Sequence, residues 1–464
     1  MNAAASGDTI LVQPGTYTEL LSMIGKSCTL RSDIDGNEAT HDIATEQTII
    51  KGGITVSESP DAVIEGFTFS LNYTGINVYK CNASLLFNKI IYCKYGVRLF
   101  QSTPTILYNS ISDNEIAGVA ATNGSMPVIM YNLVNDNGDG LSSDESSNVI
   151  AGFNIIRHNT GLGIACENLG SKIIHNEIEY NAGGIRINDF FAVSTEAPVI
   201  RGNTIRWNDN AGNDGGGICI DLLSAPADVI KVTSNVITHN VAGKGGGIFI
   251  SGFHENPEYI IYHNTIANNA ASYSGGGIYC TGSTLNMGNT ILWNNAAPSG
   301  LEIYMSNTYS PTKVDANYCD VKMGPGFIFK DAGTTLVWGS EMLYQDPLFV
   351  NPQGGDFHLT VRSPCINRGT DLDEVDEDVD FNAIPSAGSP EMGADEFTAM
   401  HSLQADRYTY PSWGGVYVLY ELNAGPANAN RFFVLCTSIS GTLPGTNLGN
   451  GEYLPLKWDF FTDL

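Results

Sequence analysis

A frame N-x-I-x-x-N, followed after a variable loop by glycine and an apolar residue, recurs nine times down the middle of this chain and restricts its fold more than any other feature. The leading Asn falls at Asn88, Asn109, Asn132, Asn154, Asn176, Asn203, Asn235, Asn264 and Asn289, with spacings of 21, 23, 22, 22, 27, 32, 29 and 25 residues. Units this short cannot hold two helices, and their apolar residues alternate with period two rather than 3.6. A further short apolar strand precedes each Asn, as in Pro104-Thr105-Ile106-Leu107 and Pro198-Val199-Ile200. Three strands per unit describe one coil of a β-solenoid. No coil buries its inward face alone; stacking at ~4.8 Å does so and pairs every backbone group. The Asn column fits, because Asn tolerates the left-handed turn conformation and its amide can bond the Asn above and below. Gly66 replaces Asn one coil earlier, and strands around Leu30 and Ile49-Ile50 add more. The expectation is an all-β parallel solenoid of about eleven coils, a rod on the order of 50 Å.

The opening Gly7-Asp8-Thr9-Ile10-Leu11-Val12 and Pro14-Gly15-Thr16-Tyr17-Thr18-Glu19 resemble the first coil of pectin-lyase-like right-handed β-helix proteins. The repeats resemble the generic β-helix region of that superfamily. Downstream, Asp346-Pro347-Leu348-Phe349, Ser363-Pro364-Cys365-Ile366-Asn367-Arg368-Gly369 and Met392-Gly393-Ala394-Asp395-Glu396-Phe397 resemble the closing segment of secreted bacterial β-helix proteins with interchangeable C-terminal surface anchors. The resemblance implies a right-handed, three-strand-per-coil parallel β-helix over residues 1–320 and final coils with a cap over 321–397. Strand-like runs over 398–464 read as the start of a small β-sandwich with too few strands to close, so truncation is expected there. Because Met1 leads into Asn2-Ala3-Ala4-Ala5 without a signal pattern, the numbering is expected to begin inside a longer protein.

Charge narrows the partners. Forty-nine acidic and 22 basic residues give a net charge of −27, which disfavours nucleic acid and anionic lipid. No window approaches 18 consecutive apolar residues, so no membrane span is expected. The nine cysteines include no C-x-x-C pair and read as small buried hydrophobes.

Enzymes of the superfamily act on polysaccharides laid along the rod, yet their motifs are absent here. Gly15-x-Tyr17-x-Glu19 matches the first motif of pectin methylesterases, but their later aspartate and arginine motifs are missing. No polygalacturonase G-H-G, alginate-epimerase D-P-H-D or P-loop occurs. What remains is geometry. The coils beginning at Asn176, Asn203 and Asn235 are lengthened, and long turns on neighbouring coils wall a groove. Arg186, Asp189, Phe190, Arg206, Trp207, Asp209, Asp214, Asp221, His239, Lys244 and His254 cluster around them. For a lyase, Lys244 or His239 would be the base, and Arg186 or Arg206 would neutralise a uronate carboxylate; as turn decoration, the same residues would do neither. Arg186, Arg206 and Lys244 would form a positive strip suited to an anionic glycan.

A second column, four residues after each leading Asn, includes Tyr180, Trp207 and Trp293. If it faces outward, it offers stacking platforms for sugars. The alternating Asp376, Asp378, Asp380 and Asn382 resemble a calcium loop without its glycine and distal glutamate, so Ca²⁺ is the one cofactor considered, against a simply acidic loop; no organic cofactor is implied. The leading reading is an extracellular or bacterial cell-surface protein engaging an extended polysaccharide or surface glycan, by binding or as a polysaccharide lyase. The alternative is a structural or adhesive stalk. Its support is the Gly-Gly-Gly-Ile at 215–218, 245–248 and 275–278, which resembles the G-G-A-I repeats of polymorphic surface adhesins. Oligomeric state stays open.

Overall fold

A computed structural model describes residues 4–33, 48–70, 73–189, 196–223, 228–253, 257–373, 375–385 and 388–397. Beyond these it describes only four two-residue strands. Gln404–Ala405 pairs antiparallel with Tyr420–Glu421, and Thr446–Asn447 with Tyr453–Leu454. The rest of the expected β-sandwich lies outside the described residues.

Strands fall in rotation into three parallel sheets of 14, 13 and 13 strands. Sheet A begins at Thr9–Val12, sheet B at Gly15–Tyr17 and sheet C at Leu21–Ile24. The expected solenoid is present and runs slightly longer than the repeat implied. Its first turn and the turn through Lys313–Asn317, Asp320–Val321 and Ile328–Lys330 continue the stack without the leading Asn. Inward residues at matching registers, such as Ile90, Ile111, Val134, Ile156, Ile178 and Ile205, are fully buried. The eight cysteines among the described residues are buried and unpaired, as expected of small hydrophobes.

Two asparagine ladders flank sheet B. In the first, each Nδ2 from Asn88 to Asn235 donates to the next coil's Oδ1 at 3.0–3.1 Å. The second runs Asn114, Asn137, Asn159, Asn181, Asn208, Asn240, Asn269 and Asn295 with the same polarity. With every N–H pointing toward the C-terminal end, the last amide needs an acceptor. Buried Glu302 supplies it, taking Asn295 Nδ2 at 2.6 Å. The left-handed residue is not the ladder Asn but its predecessor: Tyr108 and Asp113, for example, have φ of 56° and 55°. The ninth register also shifts by one. Asn264 N–H donates to Thr290 Oγ1, and Leu292 pairs with Ile266. Thr290 and Leu292 therefore hold the places assigned from sequence to Asn289 and Ile291.

Residues beyond 343 do not extend the stack. The segment from about 349 to 397 lies along the outside of sheet B. Phe381 packs on Phe153 and His175 at 5.7 and 4.3 Å, Phe357 meets His239 edge-on at 5.7 Å, and Ala394 N–H donates to Thr265 Oγ1 at 3.0 Å. Phe357 and Ala394 join Val236 and Ala267 in one apolar cluster; Leu359, Cys365 and Met392 join Ile291 in another. This strap, rather than an end plug, occupies the region expected to be a cap.

Candidate functional site

Among the described residues the strap packs on sheet B and not on the outer face of sheet C, which the lengthened coils border. There a three-stranded parallel sheet D, of Asp209–Asn210, Val241–Lys244 and Ala270–Ser274, is inserted between sheets B and C. The chain re-enters sheet C through the three triple glycines. Gly215, Gly245 and Gly275 have φ of 74°, 61° and 67°. A Cβ at Gly215 would come 2.5 Å from that of Cys219, and one at Gly275 2.8 Å from that of Tyr279. Glycine thus lets sheet D close over the outward stack Phe249–Tyr279–Tyr304, whose rings lie 5.3 and 5.2 Å apart. The triple glycine has a packing cause.

One coil earlier the floor opens. Arg186, Asn188 and Asp221 point outward from Ile185–Asp189 and Ile218–Leu222 and are half-buried. Lys244 Nζ stands 3.9 Å from Asp214 Oδ2, and Lys244 N–H donates to Asp214 Oδ1 at 3.1 Å. Burial raises the Asp139 and Asp214 carboxyls above the ordinary carboxylate range, with Arg186 opposing at both and Lys244 at Asp214. Burial pushes the Cys219 thiol up to about 12, so it offers no nucleophile. Beyond the C-terminal ends of these strands stand exposed Leu223 and Phe253, and Phe253 packs against exposed Tyr309 at 4.6 Å. The site is therefore a polar floor with a charged wall on one side and an apolar wall on the other.

This groove divides the residues singled out from sequence. Arg186, Asp214 and Lys244 belong to it. Asp189 does not: it shares the inward parity of Ile185 and Ile187 and is buried. Asp209 turns its Oδ1 to the Ala211 N–H at 3.1 Å. Phe190 and His254 lie outside the described residues. Arg206, Trp207 and His239 sit on the strapped flank instead. Arg206 donates to Glu179 at 3.0 Å and Glu177 at 2.8 Å, and its guanidinium lies 4.6 Å from the Trp207 ring centroid. His239 is held below the usual imidazole range, first by burial and then by Arg206. A neutral, covered imidazole cannot reach a sugar on sheet C, and the three-cation strip does not assemble.

Nor do the aromatics offer platforms. His158, Tyr180, Trp207 and His239 stack at 5.2, 5.2 and 5.5 Å, so Tyr180 and Trp207 have both faces occupied and present only edges. Left-handed backbone at each member swings the side chain outward. Trp293 falls outside this column, its place taken by Asn294 with φ 59°, because of the one-residue shift. A second stack, Phe87–Tyr108–Tyr131–Phe153–His175, has spacings of 5.0–5.4 Å. It went unread in the sequence, although its signal is an aromatic immediately before the ladder Asn.

The calcium-type loop lies in the strap, and its carboxylates face different partners. Asp376 pairs with Arg201 at 3.2 Å. Asp378 accepts from the Asp380, Asn382 and Glu396 N–H groups at 2.8, 2.8 and 2.9 Å. Asp380 bonds His358 Nε2 at 2.6 Å, while His358 Nδ1 bonds Asp356 at 2.5 Å. Among the described residues, only His358, Asp380 and Asp395 bring three His or acidic ligand atoms within 4.8 Å of one another. Burial alone would lower His358, but Asp356 and Asp380 hold it well above the usual imidazole range. Both nitrogens of this imidazole are engaged, and Asp376, Asp378 and Asp380 turn to different protein partners rather than to one shared point.

A model of the right-handed beta helix region matches residues 31–178 and 132–258. No curated protein matches the sequence. Similar solved structures include a family 6 alginate lyase, AlyGC, with 11% identity, coverage of 78% of this chain and 53% of that one, and a TM-score of 0.51. Pectate lyase Pel9A has 14% identity, coverage of 86% and 90%, and a TM-score of 0.38. The A-module of the Azotobacter vinelandii mannuronan C-5 epimerase AlgE6 has 13% identity, coverage of 75% and 92%, and a TM-score of 0.40. At 11% identity the likeness to AlyGC establishes architecture, not chemistry. With its three parallel sheets and paired asparagine ladders, the chain folds as a right-handed parallel β-helix, the architecture that the matched model describes.

Proposed function

We propose that this is an extracellular or cell-surface protein that holds an extended, hydroxyl-rich polysaccharide in the sheet C groove. The observation that carries the reading is the open polar floor of Arg186, Asn188 and Asp221, set beside the exposed Phe253–Tyr309 pair. Amide, carboxylate and guanidinium groups suit sugar hydroxyls, and an exposed ring suits the apolar face of a pyranose. Three carboxylates, Asp139, Asp214 and Asp221, outnumber the two cations, so a neutral glycan fits better than a polyanion. Binding is favoured over cleavage. His239 is out of reach, and Lys244, the remaining candidate base, is tied to Asp214.

The test is retention of the purified protein on a panel of immobilised neutral and acidic polysaccharides, with Asp221→Ala plus Phe253→Ala as the groove variant. Loss of neutral-glycan retention at unchanged melting temperature supports the reading; equal retention removes the groove. Appearance of ultraviolet-absorbing unsaturated products would establish a lyase instead.

A further inference from the structure

Four coils before the groove, sheet C carries a patch of opposite electrostatic character. Between residues 66 and 112 there is no Asp or Glu, although the chain-wide frequency (49 in 464) would place about five there. The same stretch holds Lys80, Lys89, Lys94 and Arg98. Adjacent strands Thr74–Tyr79 and Tyr95–Phe100 set Arg98 beside Asn77 and Phe100 beside Tyr79 on the outer face. Tyr79 and Phe100 stack at 4.9 Å at one end of the strands, and Tyr73 meets Tyr95 at 6.0 Å at the other. A cation lies over a ring at each end and between them. Lys80 Nζ is 5.1 Å from the Tyr79 centroid, Lys94 Nζ 5.0 Å from that of Tyr73, and the Arg98 guanidinium 5.4 Å from that of Tyr95.

The contrast with other cations decides what this means. Arg31, Arg157, Arg201 and Arg206 each face a carboxylate. Arg98, Lys80 and Lys94 form no ion pair among the described residues. Glu58 and Glu115 border the patch, on the coil before Lys80 and the coil after Cys93 respectively, and neither pairs with these cations. Cation–π contact positions a charge without neutralising it, so Arg98 and Lys80, both exposed, keep their donors free for an anion. From Tyr95 to Phe100 is ~17 Å at strand rise, which suits repeated anionic groups along a polymer better than a single small ion.

We propose that this face is a second carbohydrate site, specific for an acidic polysaccharide, whose carboxylates or sulfates are taken by Arg98, Lys80 and Lys94 while Tyr73 and Phe100 border the sugar. It is separate from the neutral-glycan groove and shares with that reading only the assignment to carbohydrate. Arg98 is the central contact, since a guanidinium can bind a carboxylate through two parallel hydrogen bonds.

The experiment measures affinity of the full chain for polygalacturonate, a sulfated glycan, a neutral glucan and anionic phospholipid vesicles at low and high ionic strength. The expected result is retention on at least one acidic glycan, weakened by salt, and not on vesicles. The combined Lys80→Gln, Lys94→Gln and Arg98→Gln variant should lose at least about tenfold in affinity with neutral-glucan retention intact. Arg98→Lys should fall between, keeping charge but losing the planar fork. If the triple variant melts early, Arg98→Gln alone serves, because its side chain is exposed. Unchanged affinity in that variant overturns the proposal, as do absence of acidic-glycan binding and preference for vesicles. The groove variant Asp221→Ala plus Phe253→Ala should leave acidic-glycan binding unaffected, which separates failure of this site from failure of the other.

Discussion

Sheets B and C arise from the same repeat in one solenoid, yet among the described residues the strap covers the later coils of B and none of the outer face of C. On the strapped side, cations are consumed internally: Arg201 by Asp376 and Glu377, Arg206 by Glu177 and Glu179. At the groove wall Arg186 of sheet C acts on Asp139 and Asp214 and Lys244 of sheet D meets Asp214, while Arg98 forms no ion pair among the described residues. The difference teaches that a charged residue on a solenoid flank reports function only once it is known whether another segment covers that flank. Residue type and coil position cannot say so, because both flanks carry Arg, aromatics and acids at similar spacing.

The sharpest way to break this comparison is to release the strap. His358 is the cation among Asp356, Asp380 and Asp395, and Asp395 is buried enough to be pushed up to about 7, against the pull of His358. His358→Ala leaves like charges facing one another. Loss of one partner from such a buried set costs about 3–5 kcal/mol. The expected readout is a lower melting temperature and faster proteolysis within 344–397, with the parallel β signal in circular dichroism retained. An unchanged melting curve would show that apolar packing of Phe357, Phe381 and Met392 alone holds the strap.

A second contrast sets one flank against the other. Arg206→Ala with Trp207→Ala should lower the melting temperature by several degrees, because Glu177 and Glu179 lose their partner and the stack loses its middle ring. Arg186→Ala with Asp221→Ala, at the open groove, should shift it by no more than a degree or two. Equal shifts would mean that the groove residues are as structural as those under the strap.

Next in size is pH. Burial raises Asp395 and Asp320 from 3.8 to about 7, Glu302 from 4.5 to about 7, and Glu391, beside Glu396, from 4.5 to about 9. Each binds a proton more tightly folded than unfolded. Their contribution is complete below about pH 4 and is lost as pH rises through 7 and then 9. His263 works the other way, depressed from 6.5 to about 4 by burial, so its contribution is lost on acidification through that range. Thermal stability should therefore decline most steeply from about pH 5 to 7, as Asp395, Asp320 and Glu302 lose their protons, and more gently on to about pH 9 through Glu391. Glu391→Gln should flatten the upper part of that decline, and a curve flat across the window in the parent protein would contradict the buried acid set.

Much of the fold was legible because ladder physics writes itself into the sequence. Each Asn109-type residue has an identical neighbour a coil away, and each inward Ile205-type residue sits two places on. The first error came where Thr290 replaces Asn in the ladder: a hydroxyl can accept the same backbone N–H, and a neighbouring Asn289 captured the frame. The site was half legible. Long turns located the groove with Arg186, Asp214 and Lys244. They could not show that residues 349–397, some 150 positions downstream of Arg206, return to cover Arg206, Trp207 and His239. That contact depends on Phe357 and Phe381, which carry no repeat. The patch at Arg98 had a legible signal, the missing acids from 66 to 112, but without register nothing joined Arg98 to Tyr95 or Lys80 to Tyr79.

The smallest expected effect concerns calcium, and it tests whether the strap is held by protein alone. Calcium takes six to eight oxygen ligands at about 2.3–2.6 Å. Asp376 is spent on Arg201, Asp378 accepts three backbone N–H groups and the Asn382 amide at 2.9 Å, and Asp380 binds an imidazolium. A cation entering here would have to displace N–H donors from Asp378 and face the positive charge of His358. A ligand stabilises a protein only through its affinity for the native state, so melting curves in chelator and in millimolar calcium should coincide within about a degree. The His358→Ala variant gives the companion result. With the imidazolium gone, Asp356, Asp380 and Asp395 become an acidic pocket, and calcium should then recover part of the lost melting temperature. A calcium response in the parent protein, or none in the variant, would show that His358 is not the strap's resident cation.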